Sequence, residues 1–201
     1  MNKNISNEEL AKLEPEIFTG EIYVADNAAE AERATNYLAG FQILGFDTET
    51  RPSFYKGSFH NVALVQLSTE NKCFLFRLNG SGFFPSLVKL LSNPAVKKVG
   101  LSLCDDFSRM AKSIKFEPQG FIDLQKIVKY YGINELGLAK IYALVFGKKI
   151  SKRQRLTNWE ANSLTNAQKQ YAALDAWACL NIYKKLCNMP KFTSTEDAKS
   201  Q

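Results

Sequence analysis

Asp47 and Glu49 stand two residues apart in Phe46-Asp47-Thr48-Glu49, so on an extended chain both carboxylates leave the same face. Two acids in so small a volume repel, and one takes up a proton unless a divalent cation separates them. Hard oxygen ligands suit Mg²⁺ or Mn²⁺. With 20 acidic residues in 201, chance supplies about half of one Asp-x-Glu, so the pair carries weight only in company. Company comes from Lys98-Val99-Gly100-Leu101-Ser102-Leu103-Cys104-Asp105-Asp106, where a strand-like run meets two acids that open a helix-like one. One acid can cap orphan N–H groups and suit the helix dipole while the other points at a metal. The last group is Tyr171-Ala172-Ala173-Leu174-Asp175, whose spacing of four puts phenol and carboxylate on one helical face. Beside that face runs an apolar stripe of Leu174, Ala178, Ile182 and Leu186, which would bury the helix, so an acid bordering it needs a reason to be there.

The elements that must carry these residues alternate in character. Five strands are expected: Gln42 to Glu49, Asn61 to Ser68, Cys73 to Leu78, Lys97 to Leu103 and a short one over Gly120 to Asp123. Helical patterns cover Ala28 to Leu38, Phe84 to Leu91, Asp106 to Ser113, Leu124 to Tyr131, Leu136 to Phe146 and Thr165 to Leu186, the last with Thr165 as its N-cap. Strands first clustered and then alternating with helices indicate a single α/β domain with a mixed five-stranded sheet and helices on both faces. Residues 1 to 20 are polar and acid-rich and read as an N-terminal arm; 21 to 187 form the domain; 188 to 201 form a flexible tail.

Composition narrows the class. At 45% hydrophobic and 23% charged residues, the chain has the apolar content of a folded domain, not of a disordered one. Four scattered cysteines with no C-x-x-C pair, and the single histidine His60, argue against a zinc site, and Cys73 and Cys179 read as small buried thiols. The acidic N-terminus is unlike a secretory leader, and no apolar run approaches the ~20 residues of a membrane span. The expectation is a soluble, reduced, cytoplasmic protein.

Taken in order, the three acidic motifs resemble the DEDDy-type 3′-5′ exonucleases of the ribonuclease H-like (DnaQ-like) superfamily. They are most similar to the Werner-type exonuclease domain and next to ribonuclease D. Asn61-Val62-Ala63-Leu64-Val65-Gln66-Leu67, Lys97-Lys98-Val99-Gly100, Asn158-Trp159 and Leu164-Thr165 fit the same pattern, so the similarity spans about residues 20 to 187. The resemblance implies a ribonuclease H-like fold. It also implies that Asp47, Glu49, Asp106 and Asp175 hold two divalent ions, Mg²⁺ or Mn²⁺. Asp105 would then be the helix cap, and Tyr171 would orient the attacking water. The implied reaction releases nucleoside 5′-monophosphates from a free 3′ end of DNA or RNA. Where Werner-type domains commonly have tryptophan after the glutamate, this chain has Thr50, which alters contacts to the terminal base and leaves the metal ligands alone. The alternative is a nucleic-acid-binding module with a lapsed nuclease site, and such a module would have lost one or more of these acids.

Substrate contacts are expected from Thr48 and from Phe54, which sits with Tyr55 and Phe59 among Arg51, Lys56 and His60, an arrangement able to stack on a base. His60 itself is expected to be incidental. Charge adds a further set. The net +6 equals Lys140, Lys148, Lys149, Lys152, Arg153 and Arg155, which lie between Leu136 and Trp159 with no acid among them. That segment leads into the helix of Tyr171 and Asp175. Lys152, Arg153 and Arg155 are therefore expected to hold backbone phosphates.

Overall fold

The computed structural model describes residues 3–55 and 59–191. Lys56 and positions 192–201 of the expected tail lie outside them. The centre is a six-stranded mixed sheet of β1 (Glu21–Ala25), β2 (Ile43–Thr50), β3 (Val62–Ser68), β4 (Lys72–Arg77), β5 (Lys97–Gly100) and β6 (Phe121–Asp123), in the spatial order β1-β4-β3-β2-β5-β6. β2, β3 and β4 form an antiparallel meander, and β1, β5 and β6 add in parallel at its two sides. The sixth strand corrects the expected five. Glu21-Ile22-Tyr23-Val24-Ala25 is an edge strand with alternating exposure, and its leading glutamate next to a polar arm hides the pattern. The strand expected over Lys97 to Leu103 stops at Gly100, and the helix after it begins earlier than expected.

Seven α-helices are described: α1 (Asn7–Lys12), α2 (Ala28–Leu38), α3 (Pro85–Leu91), α4 (Leu103–Met110), α5 (Leu124–Ile127), α6 (Leu138–Phe146) and α7 (Asn166–Cys187). A 3₁₀ turn, Val128–Tyr131, follows α5. Each face of the sheet has its own core. On one, Leu64, Cys73, Leu75 and Val99 pack under Ala172, Ala173, Cys179 and Ile182 of α7, with α6 outside. On the other, Phe46, Val65, Leu67 and Phe76 pack under Ala31 and Leu38 of α2 and Leu87 and Leu91 of α3. Cys73 and Cys179 are buried, as their apolar settings suggest. No helix among the described residues is long and apolar enough to cross a membrane.

The N-terminal arm lies along the domain. Lys3 bridges to Ile133 and Pro15 to Lys149, and Phe18 is buried in the α7-side core. Glu16 accepts from the Tyr142 hydroxyl at 2.8 Å and the Lys148 ammonium at 3.0 Å, while Lys149 donates to the Ala11 carbonyl and Lys140 pairs with Glu135 at 3.2 Å. Half of the basic cluster is thereby engaged in holding the arm and its neighbouring loop. Lys152, Arg153 and Arg155 remain exposed to solvent.

Candidate active site

β2 delivers the first two acids at its carboxyl end, beside parallel β5, where open α/β sheets form their ligand crevices. The ladder with β3 slips register between Glu49 and Thr50, a bulge that bends the strand where its chain must leave the sheet. α7 then brings the third. A Cβ on Gly45 would collide with the carbonyl of Ala176, so only glycine lets the helix lie this close to β2, and Ala172, Ala173 and Ala176 keep its inner side small. Thr165 caps α7 through a reciprocal box with Gln168. Gln168 also donates to Thr157 Oγ1 at 3.1 Å and the Asn158 carbonyl at 3.2 Å, tying the basic loop to the same helix.

The result is a convergence of Asp47, Glu49 and Asp175, each offering an oxygen within 4.8 Å of the others. Glu49 and Asp175 are buried. Asp106 joins them from α4, where its Oδ1 accepts a 2.6 Å hydrogen bond from Thr48 Oγ1. Thr48 thus grips a carboxylate, a role its expected place among the substrate contacts did not include. Asp105 is exposed and does not cap α4. The cap is supplied from β6: Asp123 accepts from the backbone N–H of Ser102 and of Leu103, each at 3.2 Å, and of Gln125 at 2.9 Å. Ser102 has φ of 58°, the one non-glycine residue among those described in the left-handed region. The Asp123 bonds hold that turn and with it the direction from which Asp106 enters. Asp123 escapes a reading of local motifs because its partners lie about twenty residues earlier in the chain.

Burial raises all four carboxyls above their ordinary range, and repulsion within the cluster adds to it for Asp47 and Glu49. For Asp47 burial is the main cause, followed by Asp175 and Asp106; for Glu49 it is burial, then Asp47, with Arg155 opposing. Burial raises Asp175 as well, against the Tyr171 hydroxyl and the Lys152 charge, and raises Asp106 against its Thr48 bond and Arg109. A set of acids held together at this cost in proton affinity is fitted to exchange protons for divalent cations. The Tyr171 phenol is pushed up too, by burial and then by Asp175 and Glu49.

Asp47, Glu49 and Asp106 open into a cleft of about 660 Å³ that Asp105, Arg109, Lys112 and Arg155 also line, while Asp175 and Tyr171 are not among its lining residues. Arg109 and Lys112 follow Asp106 at intervals of three, a helical-face signal legible in the chain but not among the expected contacts.

A family model described as 3'-5' exonuclease matches residues 22–191. The chain belongs to this 3′-5′ exonuclease family. It is 31% identical over 203 residues to the mouse bifunctional 3'-5' exonuclease/ATP-dependent helicase WRN, covering 94% of this chain and 14% of that protein. It is also 31% identical over 193 residues to an Arabidopsis thaliana 3'-5' exonuclease, covering 88% of this chain and 67% of that one. Among solved structures, Escherichia coli RNase D superposes with a TM-score of 0.74 at 24% identity, over 82% of this chain and 44% of that one.

Within this exonuclease fold the remaining expected contacts divide. Arg155 lines the cleft, and Lys152 is near enough to Asp175 to oppose its rise. Arg153 is exposed and does not line the cleft. Phe54 lines an adjoining hollow with Arg51, His60 and Leu156, and Phe59 lines the main cleft with the Lys112 ammonium 4.5 Å from its ring centre. Both residues are more than 70% exposed, so neither ring anchors its loop on the core. His60 is not incidental: its Nδ1 lies 3.0 Å from Glu160, which also pairs with Arg51 at 3.2 Å. Glu160 therefore ties the loop after β2 to the segment before α7, across the cleft mouth.

Proposed function

We propose that this domain is a metal-dependent 3′-5′ exonuclease that removes nucleoside 5′-monophosphates from a free 3′ end of DNA or RNA, using two Mg²⁺ or Mn²⁺ ions. The observation that carries this reading is the convergence of Asp47, Glu49 and Asp175 with Asp106 facing them from α4. Only oxygen donors meet there, the chemistry that hard divalent ions select. Such ions, when bound, supply Lewis acidity at the scissile phosphate and offset the negative charge gathering on it.

The protein's own residues do the rest. Thr48 holds the Asp106 carboxylate toward the cleft. Tyr171 keeps its proton throughout the working pH range, because its surroundings raise the phenol above an already high ordinary value. It therefore orients the attacking water by hydrogen bonding and is no base. Arg155 and Lys152 face incoming phosphates, and Phe54 and Phe59 offer ring faces to bases near the 3′ end. A lapsed binding module has no use for four acids and a phenol kept together against their repulsion.

The test is a 5′-labelled oligonucleotide, as DNA and as RNA, single-stranded and with recessed ends, incubated with Mg²⁺ or Mn²⁺. A ladder shortening from the 3′ end is expected. A ladder that persists in EDTA, or in Asp47→Ala and Glu49→Ala, refutes the assignment.

A further inference from the structure

Gln66 sits in the middle of β3 with its side chain fully buried, and neither its Oε1 nor its Nε2 has a hydrogen-bond partner among the described residues. Leaving a buried amide unpaired costs about 1–3 kcal/mol, so a purely apolar residue would serve the core better. A polar group kept there at a loss calls for a partner that the metal-free domain does not supply.

The strand register says where that partner is. Gln66 lies directly opposite Asp47 in the antiparallel β2–β3 ladder. Opposed residues share a face with Cβ atoms about 4.5–5.5 Å apart, and a glutamine side chain is long enough to bridge that gap. Its other neighbours on this face offer little: Leu64 and Ser68 flank it along β3, and Leu75 is opposite on β4. The Ser68 hydroxyl is already spent on the Thr69 carbonyl at 2.8 Å. Close by in the same site, Asp175 Oδ1 is also buried without a partner. The most acidic cluster of the molecule and its unpaired amide thus meet on one face of the sheet, under α7. An amide suits that place better than a lysine, since it donates to a carboxylate without adding a positive charge to compete with a cation.

We propose that Gln66 is a positioning residue: in the metal-loaded domain its Nε2–H donates to the Asp47 carboxylate and fixes that ligand's orientation. The proposal rests on the metal-site reading above. It does not depend on which nucleic acid is cleaved.

Gln66→Met, which keeps length and volume and removes both polar atoms, separates this role from a structural one. In EDTA the variant should be as stable as wild type or more so. Its Mn²⁺ affinity, read by titration calorimetry on the metal-free protein, should fall about 10–100-fold, the usual effect of removing a group that orients a metal ligand. Activity should return at high Mn²⁺ with KM for the oligonucleotide unchanged. Mn²⁺ affinity within twofold of wild type overturns the proposal. Asp47→Asn is run in parallel: if it loses Mn²⁺ binding while Gln66→Met does not, the positioning role alone falls, and if neither loses it, the metal site falls as well. A measurement on the unaltered protein needs no variant to fold. The Gln66 side-chain amide protons, followed by NMR, should shift downfield as Mg²⁺ is added, and an unmoved pair at saturating Mg²⁺ overturns the proposal.

Discussion

Replacing Asp175 by Asn should stabilise the metal-free domain while destroying its chemistry. The side chain is 7% exposed, and one of its oxygens is buried without a partner. Burial lifts its pKa from 3.8 to about 7. The sign follows from proton counting. Between about pH 4 and pH 7 the unfolded chain has released a proton that the folded chain retains, so wild-type stability falls as pH rises through that window. Above it the full cost is present: about 3 pK units at 1.36 kcal/mol each, or roughly 4 kcal/mol. Asn has the same shape and no charge to desolvate. In EDTA at pH 8 the Asp175→Asn variant should therefore melt higher, by on the order of 10 °C for a domain of this size. The gap should nearly close toward pH 4, where folded wild type is protonated and the unfolded chain is close to its own pKa. Mn²⁺ at a hundred times its Kd should restore about 2.7 kcal/mol to wild type and much less to the variant, which lacks one of the three converging carboxylates. Thermal or denaturant unfolding at pH 4, 6 and 8, with EDTA or Mn²⁺, reads all of this. Equal midpoints in EDTA at pH 8, or a gap that persists unchanged at pH 4, would refute the account of Asp175 as a buried carboxylate held for a cation.

Three further outcomes follow from other parts of the structure. Neutralising Lys152, Arg153 and Arg155 together should raise KM and lower the slope of log affinity against log salt by up to about 2, taking roughly 0.7 per phosphate contact on a single strand, with kcat little changed; an unchanged slope in filter binding at several salt concentrations would show that these charges do not contact the substrate. Asp123→Ala removes the acceptor for three backbone N–H groups and should cost about 2 kcal/mol or more in denaturant unfolding, with a fall in kcat as Asp106 loses its bearing. Gly45→Ala should cost about 1–3 kcal/mol by driving α7 off β2 and should weaken Mn²⁺ binding in calorimetry, because Asp175 moves away from Asp47.

Much of the fold was legible because its strongest elements announce themselves locally. α2 falls over the residues its pattern marks, and α7 begins after the threonine that its capping signal names. β3 and β4 are buried, mostly apolar runs with a turn between them. β1 was illegible for the complementary reason: an edge strand buries little, so it needs few apolar residues and shows few. The boundary at Gly100 was lost through chemistry of another kind. Ser102 takes a left-handed turn there, and the helix starts at Leu103 because a carboxylate from β6 satisfies its first N–H groups, a partner that no window around residue 100 contains.

The same division runs through the site. The groups that meet at the cleft sit in short motifs, since a strand puts Asp47 and Glu49 on one face by its period of two and a helix aligns Tyr171 with Asp175 by its period near four. Those spacings survive without any knowledge of the fold. The groups that aim them have no such signature. Asp123 acts on α4 from the edge strand β6, Glu160 reaches back to Arg51 and His60 in the loop after β2, and Gln66 faces Asp47 only through the β2–β3 register. Each is a common polar residue whose meaning comes from what the sheet sets opposite it. Gly45 is the limiting case, a residue with no side chain that decides how near Asp175 can come to Asp47. The chemistry of this domain is written in neighbouring residues, and the accuracy of that chemistry is written in pairs that only the folded chain brings together.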